Sequence, residues 1–126
     1  MYKLVLKPPI NNILIVEDNL FIGKKIMNAT KNICGFKNIY LTESLQEAIS
    51  ILNKCKIKLL ILDLKLKDGS GLEILKMLKE KQIKVDVFIF SISKELSTTC
   101  FKYGAKAFYD KAKDFDKLID AIKGLH

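Results

Sequence analysis

Short apolar runs alternate along this chain with longer segments in which apolar residues recur every three or four positions. The run at 13–16 is too short for a helix and stops at acidic residues, which predicts a first strand. Ile22, Ile26, Ala29 and Ile33 follow at helical spacing, and Gly35 marks where a first helix should stop. Positions 37–41 predict a second strand. Leu45, Ala48, Ile49 and Leu52 then form the inner stripe of a second helix, with Thr42 or Ser44 placed to cap it. The run 59–62 is the most apolar of all, so it belongs in the centre of a sheet, and it ends at Asp63. Gly69 and Gly71 should loosen the next loop, after which Leu72, Leu75 and Leu78 carry a third helix towards Lys81. A strand at 85–90, a less regular helix at 95–103 and a short strand at 106–109 come next. Phe115, Leu118, Ile119, Ile122 and Leu125 close the pattern with a clean helical stripe.

Five strands alternating with five helices indicate an α/β fold in which a parallel sheet is covered on both faces. Right-handed crossovers leave few arrangements open to such a chain. The flavodoxin-like doubly wound five-stranded sheet, order 2-1-3-4-5, is the expected one at this length, and it sets strands one and three side by side at the switch point. No repeat or linker interrupts the pattern. Residues 1–10 read as an N-terminal extension and 11–126 as one domain.

With 126 residues, a second domain would not fit. Hydrophobic residues at 49% and charged residues at 29% match a soluble globular protein, and no apolar run approaches the ~20 residues of a membrane helix. The opening apolar stretch is too short for a signal peptide and is broken at Pro8 and Pro9, so a cytoplasmic location is expected, with no membrane partner. Cys34, Cys55 and Cys100 are widely spaced and odd in number, as expected of reduced structural thiols. His126 is the lone histidine and stands last. The net charge of +8 raises nucleic acid as a partner, but every basic residue is lysine. Base readout leans on arginine forks, and no nucleic-acid-binding motif accompanies the lysines, so scattered solvated lysine is preferred.

In a doubly wound sheet, ligands bind beyond the carboxyl ends of the strands. The polar residues at those ends are Glu17 and Asp18, Asp63, Ser91 and Lys111. Three carboxylates in one crevice repel one another, and they invite either a raised pKa or a hard divalent cation, of which Mg2+ is the natural choice. A cation offsets the charge of an incoming phosphoryl group, so Asp63 can act as nucleophile. Lys111 and the Ser91 hydroxyl can serve the phosphoryl oxygens. Singly, each part has a plainer reading: a solvated turn or N-cap for the acidic pair, a strand-end hydroxyl for Ser91, one lysine of 22 for Lys111. An acid ending a buried strand is harder to dismiss, because it is costly unless paired or metal-bound. Joint placement at four strand ends carries the argument.

From about residue 11 to 125 the chain resembles the receiver domain of two-component response regulators. Ile13-Leu14-Ile15-Val16-Glu17-Asp18-Asn19 resembles that family's acidic motif, and Leu62-Asp63-Leu64-Lys65-Leu66-Lys67-Asp68-Gly69-Ser70-Gly71 its phosphoacceptor segment. Phe88-Ile89-Phe90-Ser91 is similar to its Ser/Thr strand, and Gly104-Ala105-Lys106-Ala107-Phe108-Tyr109-Asp110-Lys111 to its lysine segment. The resemblance implies that Asp63 is phosphorylated from a phosphohistidine on a sensor histidine kinase or histidine phosphotransfer protein. It implies Mg2+ held by Asp18, Asp63 and the Lys65 backbone carbonyl, with Glu17 acting through water. Ser91 and Phe108 would be the switch pair, coupling the site to the surface of helix four, strand five and helix five, where an output domain or target protein, or a phosphorylation-dependent homodimer, would dock. Such a domain promotes only its own phosphorylation and dephosphorylation. Lys65 and Ser93 would flank the attacking water and tune signal lifetime.

Three positions depart from the family pattern. Lys67 stands where proline is usual, which should make the loop less rigid. Ile92 replaces a small residue after Ser91 and should narrow the donor's approach. Ala112 replaces a proline that is often cis, and since a non-proline cis bond costs about 2.5 to 4 kcal/mol the Lys111–Ala112 bond should be trans. A phosphorylation-independent pseudo-receiver, acting only as a docking module, is the alternative that the intact acid, serine and lysine set argues against. A flavin carrier is disfavoured too, because a phosphate-bearing cofactor wants glycine and free N–H groups where this chain offers acids.

Overall fold

The computed structural model describes residues 11–33 and 35–125. The expected 1–10 extension, Cys34 and His126 lie outside the described residues. Five parallel strands form one sheet: β1 (Asn12–Val16), β2 (Asn38–Thr42), β3 (Leu59–Leu62), β4 (Asp86–Ser91) and β5 (Ala107–Asp110). Their order is β2-β1-β3-β4-β5, the predicted one. β1 and β3 pair directly, Ile13 against Leu59 through Val16 against Leu62.

Period-two alternation in β-branched and large apolar residues lets each strand serve two cores. Leu14, Val16, Leu60, Leu62, Val87 and Ile89 face α2 (Leu45–Lys54) and α3 (Leu72–Glu80), meeting Leu45, Ala48, Leu52, Ile74, Leu75 and Leu78. Ile13, Ile15, Leu59, Ile61, Phe88 and Phe90 face the other way, against Ile26 of α1 (Leu20–Lys31) and Leu118, Ile119 and Ile122 of α5 (Phe115–Lys123). β3 is buried at every position, as its unbroken apolar run requires.

Local chemistry sets the element ends. Asn19 caps α1, its side chain accepting the Ile22 N–H, so the acidic pair before it is not the cap. Ser44 rather than Thr42 caps α2, accepting the Glu47 N–H. α1 ends at Lys31, before the expected stop near Gly35, because Asn32 turns its N–H onto the Thr30 carbonyl. The fourth helix is not continuous from 95 to 103. A 3-10 turn over Lys94–Leu96 leads into a short helix, α4 (Ser97–Lys102), because the leading turn buries no side chain and has no side-chain cap. The loop after Asp63 also differs from expectation. Lys65–Leu66 and Gly69–Ser70 pair as a small antiparallel hairpin, and Gly71 is buried. A Cβ on Gly71 would collide with the Asp63 carbonyl oxygen, so that glycine permits close packing rather than looseness.

Candidate functional site

Three of the candidate residues at the head of the sheet are each held by one extra rung beyond their strand. The Glu17 N–H donates to the Thr42 carbonyl, the Asp63 N–H to that of Val16, and the Lys111 N–H to that of Ser91. These backbone bonds fix the bases of side chains that converge from β1, β3 and β5. No described peptide bond is cis, and the Lys111–Ala112 bond is trans as expected.

Lys111 Nζ stands 2.8 Å from Asp63 Oδ2, 2.8 Å from Glu17 Oε1 and 2.9 Å from Glu17 Oε2. Glu17 and Asp63 are 2% and 4% exposed, and without this ammonium they would be two uncompensated buried charges. Glu17 Oε2 also accepts the Asn19 N–H at 3.0 Å, and Asp63 Oδ1 accepts the Lys65 N–H at 3.3 Å. Burial nevertheless dominates at Glu17 and, with the Asp63 charge, raises its pKa to about 7 against the lowering effects of Lys111 and the Asn19 N–H. Burial pulls the other way on Lys111, but its bonds to Asp63 and Glu17 together hold its pKa above the ordinary lysine value. Asp18, half-buried, completes the cluster. One carboxylate oxygen from each of Glu17, Asp18 and Asp63 lies within 4.8 Å of the others. Three hard oxygen donors at this spacing fit a divalent cation of the magnesium class.

Ser91 is fully buried, and its hydroxyl accepts the Ser93 N–H at 3.0 Å. Ser93 is also buried, whereas Ile92 between them in sequence is 59% exposed. Lys65 projects into solvent. Phe108 is half-buried on β5, in a surface cavity it shares with Phe101 and Lys113. The structure thus brings Glu17, Asp18, Asp63, Lys111 and the Lys65 N–H together. A separate cavity of about 440 Å³ lies at the opposite end of the sheet, lined by Asn11, Lys58 and Asp86, remote from this chemistry.

The contacts of two carboxylates around the site, Asp110 and Asp68, were not foreseen. Lys94 Nζ meets the buried Asp110 carboxylate at 3.0 Å, and the Ala112 N–H donates to the same group at 2.9 Å. These two, the N–H first, hold Asp110 below the usual carboxylate range and fasten the β4–α4 loop to the residue preceding Lys111. Asp68 reaches across to the start of α2. An Asp-Gly pair signals a turn, but nothing local in the sequence names a partner so far upstream.

A five-stranded doubly wound domain with a carboxylate cluster and a facing lysine at its switch point defines a class of signalling modules. Residues 13–123 match the response regulator receiver domain, and the chain belongs to that family. It is 32% identical over 113 residues to the transcriptional regulatory protein MalR of Bacillus subtilis, covering 88% of this chain and 48% of that protein. The chain therefore spans about half the length of that relative. It is also 32% identical to sporulation initiation phosphotransferase F of the same organism, covering 88% of this chain and 90% of that one. Among solved structures, the signal receiver domain of a Luxo repressor protein from Vibrio parahaemolyticus superposes with a TM-score of 0.82 at 28% identity, over 90% of this chain and 88% of that one. The MaeR response regulator bound to beryllium trifluoride is 29% identical, with a TM-score of 0.66 over 93% of this chain and 100% of the other.

Proposed function

We propose that this receiver domain is a phosphoacceptor of a two-component relay, taking a phosphoryl group on Asp63 from a sensor histidine kinase or a histidine phosphotransfer protein. The buried Asp63 carboxylate, facing the Lys111 ammonium and gathered with two further carboxylates, is the observation that carries this reading. An Asp63 oxygen attacks phosphorus in line, the donor's P–N bond breaks, and the imidazole leaves with the bonding pair; hydrolysis later returns the carboxylate and inorganic phosphate. Asp18, Asp63 and the Lys65 carbonyl would hold Mg2+ directly and Glu17 through water. Bound there, Mg2+ supplies positive charge that offsets the phosphoryl oxygens against the carboxylates.

Lys111 holds a positive charge at Asp63 in advance, and it would exchange its carboxylate contact for a phosphoryl oxygen. Ser91, whose hydroxyl accepts the Ser93 N–H, would donate its own hydrogen to another oxygen. Phe108 would follow, carrying the change to the α4, β5 and α5 face, where an output domain, a target protein or a second copy would dock. The domain is then a switch that catalyses only its own modification, placed in the cytoplasm with its kinase.

Incubation with acetyl phosphate and Mg2+, followed by intact mass, tests this. A Mg2+-dependent phosphoryl adduct that vanishes in Asp63→Asn is the expected result. Absence of an adduct together with no binding of beryllofluoride would overturn it and favour a docking module that works without phosphorylation.

A further inference from the structure

The Asp68 carboxylate joins the loop after β3 to the first turn of α2. Its Oδ1 accepts the Leu45 N–H at 2.7 Å, and its Oδ2 accepts the Gln46 N–H and the Ser44 hydroxyl, each at 3.1 Å. Two amides that have no partner within their own helix are thus satisfied by a side chain 23 and 22 residues further along. These bonds, the Leu45 N–H first, hold the Asp68 carboxyl below its ordinary range even though the residue is exposed.

The same loop is gripped elsewhere. A Cβ on Gly69 would come 2.6 Å from Leu45 Cδ2, whereas the solvent-exposed pair of Lys67 with Glu43 at 3.2 Å adds little to the hold. On its other side the hairpin abuts Asp63, through the Lys65 N–H and the buried Gly71. The start of α2 is itself anchored, because the Ser44 N–H donates to Thr42 Oγ1 at the end of β2. A continuous path therefore runs from the sheet through α2 and Asp68 to Lys65, whose N–H meets Asp63.

We infer that Asp68 is a positioning residue for the cation site, holding the Lys65–Ser70 hairpin against α2 so that the Lys65 carbonyl stands ready beside Asp63. The inference rests on the function proposed above, which makes that carbonyl a ligand. Proline would ordinarily stiffen this loop at position 67, and lysine cannot. Tethering from outside has the same effect, because the loop is ordered on folding instead of on binding. Outer contacts that orient ligands commonly matter to affinity as much as this.

The competing account is that Asp68 only caps α2. Asp68→Ala, Asp68→Asn and the control Glu43→Gln separate the two. In metal-free protein, hydrogen exchange at 65–71 should become roughly tenfold faster in Asp68→Ala while β3 and the body of α3 keep their protection. Mg2+ affinity, measured where every variant is folded, should weaken about tenfold in Asp68→Ala, less in Asp68→Asn, and stay within about twofold in Glu43→Gln. Saturating Mg2+ should restore the rate of adduct formation. If Asp68→Ala fails to fold, Asp68→Asn, which keeps one acceptor, carries the test. A lowered melting temperature with unchanged exchange at 65–71 and unchanged Mg2+ affinity would overturn the positioning role. A parent protein that takes neither Mg2+ nor phosphoryl would instead overturn the proposed function, and this inference with it.

Discussion

Lys111 Nζ and Asp63 Oδ2 stand 2.8 Å apart, although 48 residues of sequence separate them. The ammonium also meets Glu17, so one charge from β5 compensates carboxylates from β3 and β1. Sheet order makes this possible: β5 ends the sheet, two places from β3, and only a side chain as long as lysine spans β4 to reach the switch point.

Lys111→Met keeps most of the apolar stem and removes the charge. Two buried carboxylates are then left facing each other, a change that should cost about 3 kcal/mol in metal-free protein at mildly alkaline pH. Mg2+ should recover more stability in the variant than in the parent. Thermal denaturation with and without Mg2+ measures this, and an equal response in both proteins would refute it.

Glu17 gives the metal-free domain a defined pH dependence. Its folded pKa, about 7, is above the unfolded value of 4.5, so between these limits the folded state holds the proton more tightly. Its contribution to stability is therefore full below the unfolded value and lost as pH rises through about 7. Mg2+ needs the charged carboxylates, so binding should tighten from near pH 6 to near pH 8 with proton release at the lower value. Calorimetric titration in buffers of different ionisation enthalpy checks this; Glu17→Gln should flatten the profile, and a parent profile already flat would exclude Glu17 as the group responsible.

Ile92, next to Ser91 in sequence, has more than half its surface in water. Ile92→Ala should speed phosphorylation by a small donor such as acetyl phosphate several-fold, about 1 kcal/mol at the barrier, and leave the melting temperature nearly unchanged. The companion variant Lys65→Ala should alter the dephosphorylation rate while Mg2+ affinity stays within a few-fold, because the proposed function gives only the backbone of Lys65 to the cation. Single-turnover kinetics decide both, and identical rates in parent and variant would dismiss the corresponding role.

Gly71 and Gly104 offer a paired test of backbone constraint. Gly104 has φ of 96° with open space around its missing Cβ, so alanine there should cost about 1 kcal/mol through strain alone. Alanine at Gly71 meets the Asp63 carbonyl and Leu64 Cα, and should cost about 2 kcal/mol. Mg2+ affinity should fall in Gly71→Ala and hold in Gly104→Ala; a loss confined to Gly104→Ala would contradict the packing described.

Periodicity makes the sheet legible because each strand is a short buried run and each major helix carries one apolar stripe. β3 is legible to the residue, since nothing polar lies within it. The acids and the lysine are legible for a related reason: a charged residue directly after a buried strand must lie at a sheet end. What stays hidden depends on contacts between distant segments. The split before α4 reflects a turn with no buried side chain, which periodicity cannot detect. The hairpin after Asp63 is held by Asp68 on α2 and by the close approach of Gly71, so two glycines that suggest looseness mark a tightly packed turn. The bond that the Ser93 N–H makes to the Ser91 hydroxyl is likewise hidden, because sequence does not encode which backbone group a buried hydroxyl will accept.

Glu17 and Lys111 are 94 residues apart, and Asp63 stands between them in the chain. The three can meet only after every strand crossing has been completed, with β5 added at the edge of the sheet. A chain still being synthesised, or one with its last strand frayed, carries the acids but not their counter-charge and has no ordered pocket to modify. Under the proposed function, responsiveness to a donor would double as a readout of structural integrity, and defective copies would stay silent instead of sending a false signal.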